Sequence, residues 1–524
     1  MFKKFIKPNP IFDWFLLPCL VYLLFWILIR AQYLDMAFYW DEAWVYVPGI
    51  RHMADAGPSL LPDAIPEYYS RGHPLLFYFL GSIWIKIFGT SYIAFHSFPL
   101  FISTILLLVT FFTVKEWTNG LIGLVVIVLL SVERNFFNEA GNVLPEIMIA
   151  LFFVLSVRYF LKERYFLYFI FASLGILTKE SGIVIPIALL LLNFLSLSIT
   201  SPTNLLTKVE IRKKILILSP LSVFLLFMLI QYAYKDWFLF PEHTNMMLKK
   251  SAEFVHKFNV IFYWLFEEGK MYWFGGVFVF LIVLGNKTLE NINLYIAIVG
   301  LLTGFYILKQ FSYDIEFLAL LAFASILGAV KIIGGHLFKN EEKRLKNILF
   351  ANFIVGFLYL IFNTLSALTA RYLIALLPFG FFLYTMAIKK LSQNRAIFLL
   401  VVTFLYVITL LSNFEKGQTG NIANQENFVK TRQELVGFLE KRNLFDKSIG
   451  ISEFVIFRIL ADNYAGFLSS DKVFSNLSLD TNETKEIIIV SNVGQYPDII
   501  KSGLYQLLQK FEKDQNWIEV WQKN

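Results

Sequence analysis

Ile93-Ala-Phe-His-Ser-Phe-Pro-Leu-Phe-Ile-Ser-Thr-Ile-Leu-Leu-Leu-Val-Thr-Phe-Phe-Thr-Val114 runs for 22 residues without Asp, Glu, Lys or Arg. As a helix it is about 33 Å long, enough to cross a hydrocarbon core of about 30 Å. Lipid offers no partner for backbone polar groups, so a spanning segment of this kind must be helical. It is one of fourteen apolar segments separated by polar breaks. The others before the middle of the chain are Ile11–Ile29, Pro74–Phe88, Leu121–Val132, Val143–Leu161, Phe166–Thr178, Ile183–Ile199 and Ile215–Tyr234. The later ones are Met271–Leu284, Leu294–Leu308, Ile315–Ile333, Ile348–Leu365, Tyr372–Ile388 and Ile397–Leu411.

Composition agrees with that reading. Of 524 residues, 57% are hydrophobic and 16% charged, with mean hydropathy +0.61. Soluble domains are about 45–50% apolar and about 25% charged. Disordered, collagen-like and ordinary soluble enzyme classes are excluded, leaving a multi-spanning α-helical membrane protein. The net charge of +7 reads as membrane topology, and no nucleic-acid partner is expected. A single cysteine, Cys19, permits neither an intrachain disulfide nor a cysteine-based metal site. Met1-Phe-Lys-Lys-Phe-Ile-Lys7 precedes the first apolar run without a small-residue cleavage site and reads as an uncleaved signal anchor.

Lys and Arg orient the segments. Basic loops at Arg158/Lys162/Arg164, Lys208/Arg212/Lys213/Lys214, Lys339/Lys343/Arg344/Lys346 and Lys389/Lys390/Arg395 follow segments five, seven, eleven and thirteen. They therefore share one side, which the positive-inside rule makes cytoplasmic, together with Lys3, Lys4 and Lys7. Fourteen crossings would break that parity, so one early segment does not cross. Pro74–Phe88, short and carrying Lys86, is the choice. About thirteen transmembrane helices and an extracytoplasmic C-terminus follow.

The external ends then collect Asp41, Glu42, Arg71, His73, Glu133, Arg134, Glu146, Lys179, Glu180, Asp314, Glu316 and Arg371. Each alone reads most simply as a solvated helix end. Together, charges of both signs on one face point to a polar site at the outer membrane surface. The chain divides into a transmembrane domain over 1–413, with a first external loop at 31–73, and a small extracytoplasmic α/β domain over 414–524. In the latter, Asn427–Arg442 and Asp498–Phe511 read as helices. Ser448–Ile451, Glu486–Val490 and Trp517–Trp521 read as strands. Lys235–Lys270, with Trp237, Met246, Met247 and Trp264, reads as an interfacial loop of amphipathic helices. There is no internal repeat.

The motifs of ATP-driven transport, zinc proteolysis, serine hydrolysis and metal-bound nucleotide-sugar transfer are missing. Tyr39-Trp40-Asp41-Glu42 lies just outside the first span. Adjacent carboxylates in unlike environments let one act as base while the other binds substrate, and the aromatic pair suits the face of a sugar ring. The same four residues read equally as a helix start with carboxylates facing the positive dipole end.

Further along stand Gly72-His73-Pro74-Leu75-Leu76-Phe77-Tyr78, Lys86-Ile87-Phe88-Gly89, Asn138-Glu139-Ala140, Pro145-Glu146, Leu177-Thr178-Lys179-Glu180-Ser181-Gly182 and Ala370-Arg371-Tyr372-Leu373 with Leu377-Pro378. In this order, over residues 35–390, the series resembles the polyprenyl-phosphate-sugar glycosyltransferases of GT-C fold. These include the protein O-mannosyltransferases of family 39 and the lipid A aminoarabinose transferase. The resemblance implies Asp41 as catalytic carboxylate, Glu42 as its neighbour in the motif, and Glu146 where the family usually has a second acid. It implies Lys179, Arg371 and Tyr372 near the donor phosphate. Arg71 and His73 are further cations for that phosphate, and Tyr39, Trp40 and Glu180 are substrate contacts. His96 reads first as a hydrogen-bonded helix-end histidine and only then as a substrate contact. His96-Ser97-Phe98-Pro99 and Gly72-His73 depart from the family pattern, which leaves donor-head identity open.

The implied activity is inverting transfer of a sugar from a polyprenyl-phosphate carrier to a lipid, glycan or protein acceptor, at the outer face of the cytoplasmic (inner) membrane. Asp41, Glu42, His73 and Glu146 are metal-compatible side chains. Relatives generally need no metal, so neither metal nor other cofactor is expected. Two alternatives stay open: a surface-polysaccharide polymerase or ligase, and a lipid-linked-sugar flippase or transporter.

Overall fold

The computed structural model describes residues 14–200, 207–246, 251–264, 273–277, 281, 341–365, 369–392, 394–415 and 421–524. The chain enters through α1 (Leu16–Ala31), whose Cys19, Leu23 and Trp26 face inward while Leu17, Val21, Leu24 and Leu28 stay exposed. A face of large aliphatic residues left uncovered is the surface a bilayer solvates. The loop after α1 is itself ordered. It holds a π-helical turn at Glu42–Tyr46, α2 (Val47–Ala56) and α3 (Glu67–Ser70). α4 (Leu76–Phe88) lies against α2, and the two approach closely because Gly49 faces the Tyr78 ring and Gly81 faces Ile50.

The bundle continues with α5 (Tyr92–Trp117), α6 (Gly120–Val132), the short α7 (Arg134–Glu139), α8 (Glu146–Leu161), α9 (Tyr165–Thr178) and α10 (Val184–Thr200). α8 is buried on nearly every side, in contact with α5 and α9. α11 (Lys208–Leu218) and α12 (Pro220–Lys235) form one apolar stretch bent by 42° where Pro220 starts the second helix. α13 (Pro241–Met246) and α14 (Ser251–Phe262) follow, short helices within the segment expected at the interface. α15 (Lys343–Leu365), α16 (Leu377–Leu391) and α17 (Arg395–Ser412) complete the helical part.

Among the described residues, α5, α15, α17 and the stretch Ala370–Leu391 are long and apolar enough to cross a membrane, and the bent α11–α12 pair makes five. α1, α4, α6 and α9 are apolar but shorter. The expected spans Leu294–Leu308 and Ile315–Ile333, with Asp314 and Glu316, lie outside the described residues, as do Lys3, Lys4, Lys7 and Met247. The described residues therefore establish a multi-helical membrane protein rather than a count of thirteen.

The C-terminal part is α/β. α18 (Ile422–Lys441) starts at Asn421, whose side chain accepts from the Asn424 N–H, and packs across two strands. β1 (Ile449–Ile451), α19 (Phe454–Ala461), β2 (Leu477–Ser478), β3 (Ile487–Ser491), β4 (Tyr505–Lys513) and β5 (Asn516–Lys523) follow. The sheet order is β2-β1-β3-β5-β4, parallel among the first three strands and antiparallel thereafter.

One expectation fails here. Asp498–Phe511 is not a helix: a short 3₁₀ turn, Asp498–Ser502, stops at Gly503 (φ +77°), and β4 begins two residues later. β5 supplies an antiparallel partner for Tyr505–Lys513, and a bulge between Leu507 and Gln509 lets Tyr505 pack in one cluster of the sheet and Leu508 and Phe511 in another. The helix Phe454–Ala461, inserted between β1 and β2, escaped the sequence reading.

Candidate active site

Four charged side chains from four places in the chain meet at one end of the bundle. α8 and α9 form an antiparallel hairpin, so the first residue of α8, Glu146, and the residue closing α9, Lys179, come to the same end. Pro145 fixes the start of α8, where a carboxylate meets the positive end of the helix dipole. Arg371 arrives on a 3₁₀ turn, Ala370–Leu376, directly before Pro378 opens α16. Asp41 precedes the π-helical turn of the first loop.

Arg371 links the group. Its Nη2 contacts Asp41 Oδ2 at 2.5 Å, and its Nε lies 3.4 Å from Glu146 Oε1. That same Glu146 oxygen accepts from Lys179 Nζ at 3.1 Å. Tyr372 stacks beneath both cations, with Lys179 Nζ 3.6 Å and Arg371 Cζ 5.5 Å from the ring centre. The result is an alternating row, Asp41–Arg371–Glu146–Lys179, with charges in balance. Asp41 is its open end: 14% of its side chain is exposed, against 2% for Glu146. Glu146 Oε2, buried, has no hydrogen-bond partner among the described residues. Burial opposes the charge on Lys179, yet Tyr372 and Glu146 hold its ammonium above the ordinary lysine range.

Glu42 has a different place from Asp41. It is fully buried, accepts the Tyr39 N–H at 2.8 Å and the Val143 N–H, and lies 3.3 Å from His96 Nε2. Its carboxylate pins the first loop to the segment between α7 and α8. Asp41 stands at the N-cap position, but its side chain caps no backbone N–H. The helix-start reading holds for the position of both residues, Asp41 at the N-cap and Glu42 in the first turn, but Asp41 turns its carboxylate to Arg371 and Glu42 is engaged in holding the loop.

His96 meets its first reading: it is buried near the start of α5, and its Nδ1 hydrogen-bonds the Leu34 carbonyl at 2.9 Å. Arg71 lies apart from the row, paired with Glu242 at 3.1 Å and standing over the Trp44 ring. His73 meets both Glu180 oxygens, at 3.0 and 2.9 Å, a second pair beside Lys179. Tyr39 and Trp40 pack against Phe428 of α18, with ring centres 5.1 and 5.8 Å away. Trp40 is partly exposed and holds a left-handed backbone (φ 47°), rare for a bulky residue.

Sequence reasoning assigned no role to Glu139, the last residue of α7. Burial pushes its carboxyl up to about 8 against the pull of Arg371, with Glu146 and Glu42 adding to the rise. The Asn142 side-chain amide donates to it at 3.1 Å. The triplet Asn138-Glu139-Ala140 was visible, but the closeness of Arg371 was not. Among the described residues no group of three or more His, Cys, Asp or Glu is placed to hold a metal ion.

Residues 14–238 match the sequence profile of the dolichyl-phosphate-mannose-protein mannosyltransferases. The matched stretch contains Asp41, Glu146 and Lys179. ArnT from Cupriavidus metallidurans bound to undecaprenyl phosphate is 12% identical, with TM-score 0.47, covering 96% of this chain and 97% of that one. Its apo state overlays at TM-score 0.44 with the same identity and coverage. The oligosaccharyltransferase of Archaeoglobus fulgidus in the apo form is 14% identical, with TM-score 0.48, covering 92% of this chain and 70% of that chain. No curated protein sequence matches. The resemblance read from the sequence is thus found again over residues 14–238, and the chain is a membrane glycosyltransferase.

Proposed function

We propose that this glycosyltransferase moves a sugar from a polyprenyl-phosphate carrier to a hydroxyl of a lipid, glycan or protein acceptor on the extracytoplasmic face. One observation carries the reading: Asp41 and Arg371, 330 residues apart, meet in a row that also contains Glu146 and Lys179. A sugar on a phosphate is already activated, because the phosphate leaves as an anion. The protein must supply cations for that leaving charge and a base for the acceptor.

Arg371 and Lys179 supply the cations. Arg371 is suited to a planar, two-point grip on phosphate oxygens, and Lys179 to a point charge beside it. Glu146 holds both in place. In the resting site Arg371 occupies Asp41. When a donor phosphate takes over the guanidinium, the Asp41 carboxylate is released beside the incoming acceptor. The acceptor oxygen attacks the anomeric carbon and gives its proton to Asp41. The bond between that carbon and the phosphate oxygen breaks, and polyprenyl phosphate departs with the electron pair. Attack opposite the leaving group inverts the anomeric centre. Every step is served by side chains, so the reaction is read as metal-free.

In detergent, with a labelled polyprenyl-phosphate mannose as donor, wild-type protein should release or transfer sugar without a sealed compartment, and dialysis against EDTA should change nothing. Asp41→Asn should insert and melt like wild type while losing about 10²–10⁴-fold in rate. An active Asp41→Asn enzyme would refute the assignment of the base. Release that requires a sealed vesicle and a gradient would favour a transporter.

A further inference from the structure

The end of the bundle away from Asp41 carries a second charged feature that the transfer reaction does not use. α8 spans 16 residues, so Leu161 lies about 22 Å along the axis from Glu146. At that far end, α5, α8, α9, α10, α11 and α15 surround a cleft of about 470 Å³. Its apolar lining includes Phe160, Tyr165, Leu192 and Ile348. Lys162, Lys213, Lys343 and Arg344 stand at its rim, with Glu116 and Glu163.

The two acids, Glu116 and Glu163, are outnumbered by the four cations of the rim. Glu116 is already held by Arg158 at 3.0 Å and Lys162 at 2.7 Å. Arg344 donates from Nη2 to the Glu116 main-chain carbonyl at 3.3 Å, which leaves its charge uncompensated by that contact. Lys213 and Lys343 make no ion pair among the described residues. Beside the cleft, Phe166 is 75% exposed and Ile215 63% exposed. Large apolar side chains left open at this level are solvated by acyl chains, so the cleft stands where headgroups meet hydrocarbon.

We propose that this cleft binds an anionic membrane lipid, with the phosphate between Lys213, Lys343 and Arg344 and the upper acyl chain against Phe160, Leu192 and Ile348. A soluble anion would use the cations and leave the apolar lining uncovered. A zwitterionic lipid would use the lining and present its own cation to the rim. Only an amphiphile with net negative charge satisfies both. The site is independent of the reaction at the other end, and its test does not require turnover.

Purified protein is mixed in detergent with phosphatidylglycerol or phosphatidylcholine, and retained lipid is read by native mass spectrometry. Wild type should retain phosphatidylglycerol in preference. Each cation removed should cost about fivefold in affinity, so Lys213→Gln/Lys343→Gln should lose roughly 25-fold for phosphatidylglycerol and nothing for phosphatidylcholine. Lys213→Glu, a single change at a partly exposed position, serves if the double variant fails to fold, and should also lose the preference. Glycerol phosphate at the same concentration as the lipid should not displace it. Equal retention of both lipids by wild type would overturn the proposal. So would an unchanged preference in the folded variants, or displacement by glycerol phosphate.

Discussion

Asp41 occupies an N-cap position yet commits its carboxylate to Arg371 rather than to a backbone N–H, while Glu42 beside it is consumed by two backbone donors. Two adjacent acids thus differ in accessibility because one faces the guanidinium and the other the segment after α7. Glu139 adds a third acid whose titration is separable from both. Its carboxyl titrates near 8 in the folded protein against an ordinary value of 4.5. Between those values the folded state holds a proton that the unfolded chain has released. Stability contributed by this site therefore falls as pH rises from 4.5 to 8, and levels off above. Glu139→Gln, which keeps a neutral side chain, should remove that fall. In a thermal melt, its advantage over wild type should grow from pH 4.5 to pH 8; a constant difference would contradict the buried, neutral carboxyl. Asp41, Glu146, Lys179 and Arg371 stood among the charges at the external ends of apolar segments, and the resemblance singled them out of that larger set. Arg71 was read beside the donor phosphate and stands apart from the row, whereas His96 is the hydrogen-bonded helix-end histidine that was read first. Sequence gives their proximity to the outer surface but not their partners, Glu242 and the Leu34 carbonyl.

At the scale of elements, the site depends on where α9 stops. Lys179 is extended (φ −161°, ψ 144°), and a 3₁₀ turn, Glu180–Ile183, folds back onto the end of α9. Gly182 makes this fit: a Cβ there would come within 2.5 Å of the Gly175 carbonyl carbon and the Ile176 nitrogen. Those are backbone atoms of a packed helix and cannot swing aside. Gly182→Ala should push the turn outward, taking Lys179 from Glu146 and Glu180 from His73. Overpacking of this kind costs about 1–3 kcal/mol. The variant should show a lowered Tm and a larger loss in kcat than a Gly437→Ala control in α18, where a Cβ meets open space on an ordinary helical backbone. Equal kinetics in the two would refute the coupling. Apolar runs marked the helices well because lipid permits little else. Asp498–Phe511 was misread because isoleucines and leucines at mixed spacing fit two periods. The strand partner that decides between them, β5, follows only after Asp514 and Gln515.

Across the whole molecule, the α/β part closes onto the first loop and the start of α5 through contacts that no local pattern announces. Arg51 donates to the Tyr464 carbonyl, Tyr69 to Asp462, and Tyr92 to the Gly466 carbonyl, each across more than 370 residues. Phe428 is the contact nearest the site. One ring face carries the Arg432 guanidinium, 3.3 Å from its centre, and Tyr39 and Trp40 also pack on it. Arg432 is held in turn by Glu453, at 3.1 Å from Nε and 2.6 Å from Nη2, and Ser491 Oγ donates to the same carboxylate. With both charges 1% exposed, removing one leaves the other buried and unpaired. Glu453→Gln should therefore cost about 3–5 kcal/mol. Arg432→Met/Glu453→Leu, which removes both charges and keeps apolar volume, should melt closer to wild type, and thermal unfolding in detergent separates the two. The sequence could place α18 but not this dependence, since Arg432 is a conventional helix-surface arginine until Phe428, Glu453 and Ser491 surround it. If the double variant melts below Glu453→Gln, the ion pair is a net stabiliser in its own right. The docking of α18 on Tyr39 and Trp40 would then rest on charge rather than on the packing of Phe428.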